Sequence, residues 1–183
     1  MKSAWIMAAV LLAVPACAQQ SNPAQGFSVT VTDAQDGRFT PAQYASGHGC
    51  SGENISPAIA WQGAPANARS FAVTIFDPDA PGNGFWHWLA SSIPATTKGL
   101  EAGVSHSPAL TALGVTEGTN GFGASGYGGP CPPQGQDHRY VITVYALSVD
   151  SLNLPPAATP QELDAAIKAV TIARAETTIR AAR

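Results

Sequence analysis

Four segments of this chain are built from β-branched and aromatic side chains and are separated by stretches rich in Gly and Pro, which limits it to a mainly β fold. In residues 27–31 Phe27, Val29 and Val31 alternate with polar neighbours, the period of a half-buried strand. Residues 70–76 (SFAVTIF) predict a more fully buried strand, and 85–93 (FWHWLASSI) and 138–147 (HRYVITVYAL) complete the set, since such side chains fit a pleated surface. Weaker candidates lie at 38–40 and 57–61. The 18 Gly and 15 Pro require many turns, and two irregular stretches stand out, 45–57 and 117–137. The second is too long for a turn, and long loops in compact domains often carry function.

The C-terminal end has another pattern. Thr159 is a cap, Pro160 suits the first helical position, and Glu162 completes the spacing of a capping box. Leu163, Ala166, Ile167 and Val170 share one helical face. The stripe then shifts to Ile172, Ala175 and Ile179, with the β-branched pair Val170-Thr171 at the junction, so two short helices are expected.

At 183 residues, 45% hydrophobic and 11% charged, the chain suits one globular core and not a disordered polymer. The expected organisation is a leader over 1–18, a short flexible segment over 19–26 and a single domain over 27–183. Lys2, the apolar run 5–14 and Ala16-Cys17-Ala18 have the form of a signal peptide, too short to span a bilayer, which takes about 20 apolar residues. Release into the periplasm or medium is expected, with a lipid anchor on Cys17 as the alternative. An oxidising compartment permits Cys50 and Cys131 to pair, against the alternative of two separate buried thiols. A net charge of −3 without any Lys/Arg run excludes a nucleic-acid partner on electrostatic grounds.

Chemistry concentrates in three places. Asp77-Pro78-Asp79-Ala80-Pro81 follows the buried strand, so two carboxylates sit in a turn stiffened by proline. In Phe85-Trp86-His87-Trp88, strict alternation puts His87 on the face opposite both tryptophans. Gly126-Tyr127-Gly128-Gly129-Pro130-Cys131-Pro132-Pro133 ends shortly before His138-Arg139-Tyr140, and glycines permit amide concavities that hold anions. Taken singly, Asp-Pro-Asp is turn chemistry, a His between tryptophans is structural and a Gly-rich run is an irregular loop.

In order along the chain, Cys50-Ser51-Gly52-Glu53-Asn54-Ile55-Ser56-Pro57, Trp61, Asp77 to Pro81, Trp86-His87-Trp88, Gly126 to Pro133 and His138-Arg139-Tyr140 resemble the phosphatidylethanolamine-binding protein family. The wording is nearest to its bacterial, Raf-kinase-inhibitor-like branch, and the resemblance covers roughly 27–180. It implies a mostly β, antiparallel two-sheet fold with short C-terminal helices. It also implies a pocket for phosphate-type anions or phosphorylated head groups, formed by Asp77, Asp79, Pro81, His87, Pro132, His138 and Tyr140, with the backbone of Gly128, Gly129 and Pro130 as further contacts. No catalysis, cofactor or metal is implied. The expected ligand is a small anionic or zwitterionic phosphorylated molecule.

A carboxylate beside a histidine favours its charged form, so Asp77 or Asp79 is expected to keep His87 or His138 protonated, with at least one carboxylate turned away from the anion. One alternative is a secreted inhibitor of a protease or other enzyme, in which the pocket is secondary to a protein target. A metal-dependent hydrolase using Asp77, His87 and His138 is the minor one. A serine hydrolase is weaker still, because Gly123-Ala124-Ser125-Gly126-Tyr127 lacks the last glycine of the nucleophile elbow.

Overall fold

The computed structural model describes residues 26–153 and 158–183; the expected leader at 1–18 and nearly all of the segment at 19–26 lie outside the described residues. Two antiparallel sheets face one another. The smaller joins β1 (Ser28–Val31), β2 (Ile59–Gln62) and β5 (Gly99–Leu100) in the order β1-β2-β5. The larger joins β3 (Ser70–Asp77), β4 (Phe85–Pro94), β6 (Thr116–Glu117), β7 (Asp137–Leu147) and β8 (Thr171–Ala182) in the order β6-β4-β3-β7-β8.

The apolar character of 70–76 has a direct cause, because β3 is covered on both faces. Phe71, Val73 and Ile75 point into the core between the sheets, together with Trp61, Ile142 and Val144. Ala72 points the other way, to a second cluster with Leu89, Tyr145, Leu147, Leu163 and Ile167. The last two belong to α2 (Pro160–Ala169), which begins with the expected capping box between Thr159 and Glu162. A five-residue helix, α1 (Pro108–Ala112), is capped by Ser107 in a stretch that carried no recognised signal.

The second C-terminal helix is not present. Residues 171–182 form β8, paired with β7 from Asp137↔Ala182 to Leu147↔Thr171. Ala175, Ile179 and Ala181 are buried while Arg174, Glu176 and Thr178 are exposed, a period of two. Ile172, which the helical stripe required to be inside, is among the exposed hydrophobic residues. The β-branched junction that weakened a continuous helix ends α2 at Val170 and starts a strand. Of the weaker strand candidates, 57–61 contains most of β2, whereas Arg38 makes only isolated bridges to Gln35 and Arg180.

An irregularity in β4 decides where His87 points. Ile75 pairs with Trp88 and Phe76 with Trp86, so His87 is an extra residue on β4, a β-bulge. The bulge changes which way the side chains face. Trp86 packs on the α2 side, Trp88 lies in the core between the sheets, and His87 is 3% exposed with its ring 5.0 Å from that of Tyr140. The expectation that His87 opposes both tryptophans and faces away from the core is therefore corrected: it shares a face with Trp88.

Candidate functional site

Three strand ends meet at one end of the larger sheet, where β3 stops at Asp77, β4 starts at Phe85 and β7 starts at Asp137. Above them lies a cavity of about 220 Å³ lined by Asp77, Ala80, Pro81, Phe85, His87, Phe122, Cys131, Pro132, Pro133, His138 and Tyr140. Six of the expected residues are thus brought together: Asp77, Pro81, His87, Pro132, His138 and Tyr140. Asp79, Gly128, Gly129 and Pro130 do not line it.

Asp77 is almost fully buried, and each of its oxygens is occupied. Oδ1 accepts from the amides of Asp79 and Ala80, at 2.8 and 3.1 Å, and so closes the Asp-Pro-Asp turn. Oδ2 accepts from His138 Nδ1 at 2.8 Å, a buried pair with both side chains under a tenth exposed. The other nitrogen of His138, Nε2, lies 2.7 Å from Oε1 of Gln136, an exposed side chain at the start of the strand.

Asp79 is turned away. The Arg139 guanidinium grips it through Nη2 and Nε, at 2.6 and 3.0 Å, and the Arg139 amide adds a third contact at 2.8 Å. Those hydrogen bonds hold its carboxyl well below the usual carboxylate range. Both acidic groups of the turn are therefore engaged within the protein, where at least one was expected to be.

His87 corrects the expected electrostatics. Its Nδ1 lies 2.6 Å from the Gly128 carbonyl, which can only accept, so Nδ1 carries the proton and donates. The Gly128 amide donates back to the His87 carbonyl at 2.8 Å, which fixes the ring plane. Burial pushes the imidazole down to about 4, and the opposing pull of Gly128 and of the Asp77 charge is smaller. At neutral pH His87 is uncharged, with Nε2 as an acceptor. Tyr140 is held in its protonated form by burial first and the Asp77 charge second, so its hydroxyl remains a donor.

The glycine-rich loop does not offer its amides as expected. The amides of Gly126, Tyr127, Gly128 and Gly129 donate to Gly118 O, Ser105 Oγ, His87 O and Asn54 Oδ1. Gly129 is needed for close approach, since a Cβ there would run into the carbonyl oxygen of Gln43. The loop is tied down again by a disulfide between Cys50 and Cys131, with S–S 2.05 Å and Cα–Cα 5.9 Å, which places Pro132 and Pro133 over the cavity.

Sequence reasoning missed Phe85 and Phe122 as cavity walls, and it missed Gln136. The Phe122 ring packs 4.6 Å from Phe85 and 5.9 Å from His87. An exposed aromatic inside the long 117–137 loop was the available signal. For Gln136 it was position, two residues before His138 and so on the same side of an extended chain. Among the described residues no group of three His, Cys, Asp or Glu side chains is arranged to hold a metal.

Fold and cavity together define a class: a two-sheet antiparallel β protein with a small, largely apolar pocket at the strand ends, whose carboxylate and histidines are held by backbone groups and buried side-chain partners. The profile of the phosphatidylethanolamine-binding protein family matches residues 22–182, and the chain belongs to that family. It is similar to Escherichia coli YbcL, 42% identical over 72% of this chain and 74% of that one. To Escherichia coli YbhB it is 41% identical over 67% and 78% of the two chains. The crystal structure of YbcL, described as a new member of the mammalian PEBP family, superposes with a TM-score of 0.80 and 36% identity over 86% of this chain and 98% of that one.

Proposed function

We propose that this protein is an exported, non-catalytic binding protein whose cavity takes a phosphorylated amine head group of the phosphoethanolamine type. The observation that carries the reading is the opposed hydrogen-bonding character of the polar groups in one pocket. Neutral His87 presents an acceptor at Nε2, near the Asp77 carboxylate, and the two call for a ligand that brings N–H or O–H donors. The same cavity is lined by Tyr140, whose hydroxyl donates, and by His138, whose Nε2 meets the Gln136 side-chain oxygen. A phosphate oxygen replaces that oxygen like for like, and an exposed glutamine gives way easily. Phenylalanine and proline walls suit the short methylene link between ammonium and phosphate.

A bare phosphate dianion fits less well, because it must meet the lone pair of His87 or carry a proton to it. Export is supported by the leader-like residues 1–18 and by the Cys50–Cys131 bridge, which persists in oxidising compartments. Among the described residues no helix is long and apolar enough to cross a membrane.

Calorimetric titration with phosphoethanolamine, ethanolamine and inorganic phosphate tests the reading. Phosphoethanolamine is expected to bind at least roughly tenfold more tightly than either half, and His87→Ala to lose roughly that factor, the worth of one hydrogen bond to a charged group. Phosphate binding as tightly as phosphoethanolamine, or equal affinities in wild type and His87→Ala, would overturn it.

A further inference from the structure

The opposite face of the same sheet carries a second cavity that the proposed function does not use. Helix α2 covers only part of that face, through Leu163 and Ile167. Beside it lies a groove of about 400 Å³. Phe76 and Trp86 contribute to its lining, both half-buried, with ring centroids 4.5 Å apart and planes 46° from parallel. They offer a flat apolar ligand ring a surface to lie on.

Charged side chains along the groove are already paired. Lys168 Nζ sits 2.6 Å from Asp164 Oδ2, and Arg174 Nη1 sits 3.7 Å from Glu176 Oε1. The four charges cancel, so a charged ligand has to break a pair to gain one. A neutral ligand dense in hydroxyls can open a pair without leaving either charge unbonded, since each hydroxyl both donates to the carboxylate and accepts from the cation. One acceptor is left over. Asp164 Oδ1 is shielded from bulk water and accepts from no group among the described residues, although buried polar atoms are normally hydrogen-bonded. Lys168 is more than half exposed, so its arm can swing aside and open the way to that oxygen.

We propose that this groove is a second binding site that takes a neutral saccharide, with one sugar ring on Trp86 and Phe76 and a ring hydroxyl donating to Asp164 Oδ1. The site is separate from the head-group pocket, because β-strand alternation sends Phe76 and Trp86 outward and Asp77 and His87 inward.

The test is a set of amide chemical-shift titrations of the full protein with maltose, chitobiose and choline. A saturable shift with at least one of the two sugars, centred on Phe76, Trp86, Asp164 and Glu176, is expected. Asp164→Asn and Asp164→Ala should each weaken it at least fivefold while leaving phosphoethanolamine affinity unchanged. Three results would overturn the proposal: no saturable shift with either sugar, choline binding in preference to both, or sugar shifts that survive both Asp164 variants undiminished. Failure of phosphoethanolamine to bind leaves this test standing, because the two faces are read by different amides.

Discussion

The two cavities share three strands and differ in almost everything else. On the inner face, Asp77 is held by two amides and a histidine, His87 by a carbonyl, and the loop above by a disulfide. On the outer face, the charged groups sit in two ion pairs in which Lys168, Arg174 and Glu176 are about half exposed, so the pairs cost little to rearrange. Neighbouring residues go to opposite environments: Phe76 outward and Asp77 inward, Trp86 outward and His87 inward, Val141 outward and Tyr140 inward. The inner pocket is therefore prearranged and selective, and the outer groove adjustable. An ordered site needs its polar groups fixed by backbone, which only the strand ends and the loop provide.

The contrast is open to attack, most strongly through the disulfide. The bridge closes a loop with a sequence separation of 81, and its loss in the Cys50→Ser/Cys131→Ser double variant should cost about 4–5 kcal/mol on the chain-entropy model. Urea unfolding measures this. Head-group binding should suffer and the outer groove should not; a loss below about 1 kcal/mol would show that the loop holds without its bridge.

Next in size is a pH effect confined to the inner face. The folded protein keeps His87 neutral down to about 4, while the unfolded chain protonates it near 6.5. Between those values the unfolded state binds more protons, so this contribution is complete above pH 6.5 and is lost as pH falls toward 4. The difference is on the order of 3 kcal/mol. Denaturation midpoints at a series of pH values should show the decline in wild type and a flatter profile in His87→Gln; identical profiles would remove His87 from the account.

The smallest effect belongs to the outer face. Thr159→Ala removes the capping box of α2 and should cost about 1 kcal/mol by thermal unfolding. It should loosen the groove beside α2 while phosphoethanolamine affinity stays constant. A change at the inner pocket instead would show that the two faces are coupled through the sheet.

Legibility in the sequence followed the same division. The long strands were readable because 70–76, 85–93 and 138–147 are dense in aromatic and β-branched residues, and the capping box was readable because it is local. Strand β8 was misread because its spaced alanines and isoleucines satisfy a helical stripe as well as a period of two, and pairing along β7 decides between them. Strands β5 and β6, two residues each, are too short to leave a pattern. At the site, the motif residues were legible and their electrical state was not. A carboxylate near His87 suggested a cation, but Asp77 is spent on His138 and the amides, and burial dominates. Phe122 reaches the cavity from a loop whose course no local pattern fixes.

The extra residue at His87 acts as a phase shift in the strand. Ahead of it the chain counts inside and outside in one sense, and after it in the other. A polar group is thereby admitted to the mouth of the core without moving Trp88, Leu89 or Ala90 from their places. Insertions and deletions are then constrained more tightly than substitutions. Losing Trp86 would restore the unbroken count, turn His87 out of the cavity and leave the outer groove without its ring, so both faces would fail from a single missing residue.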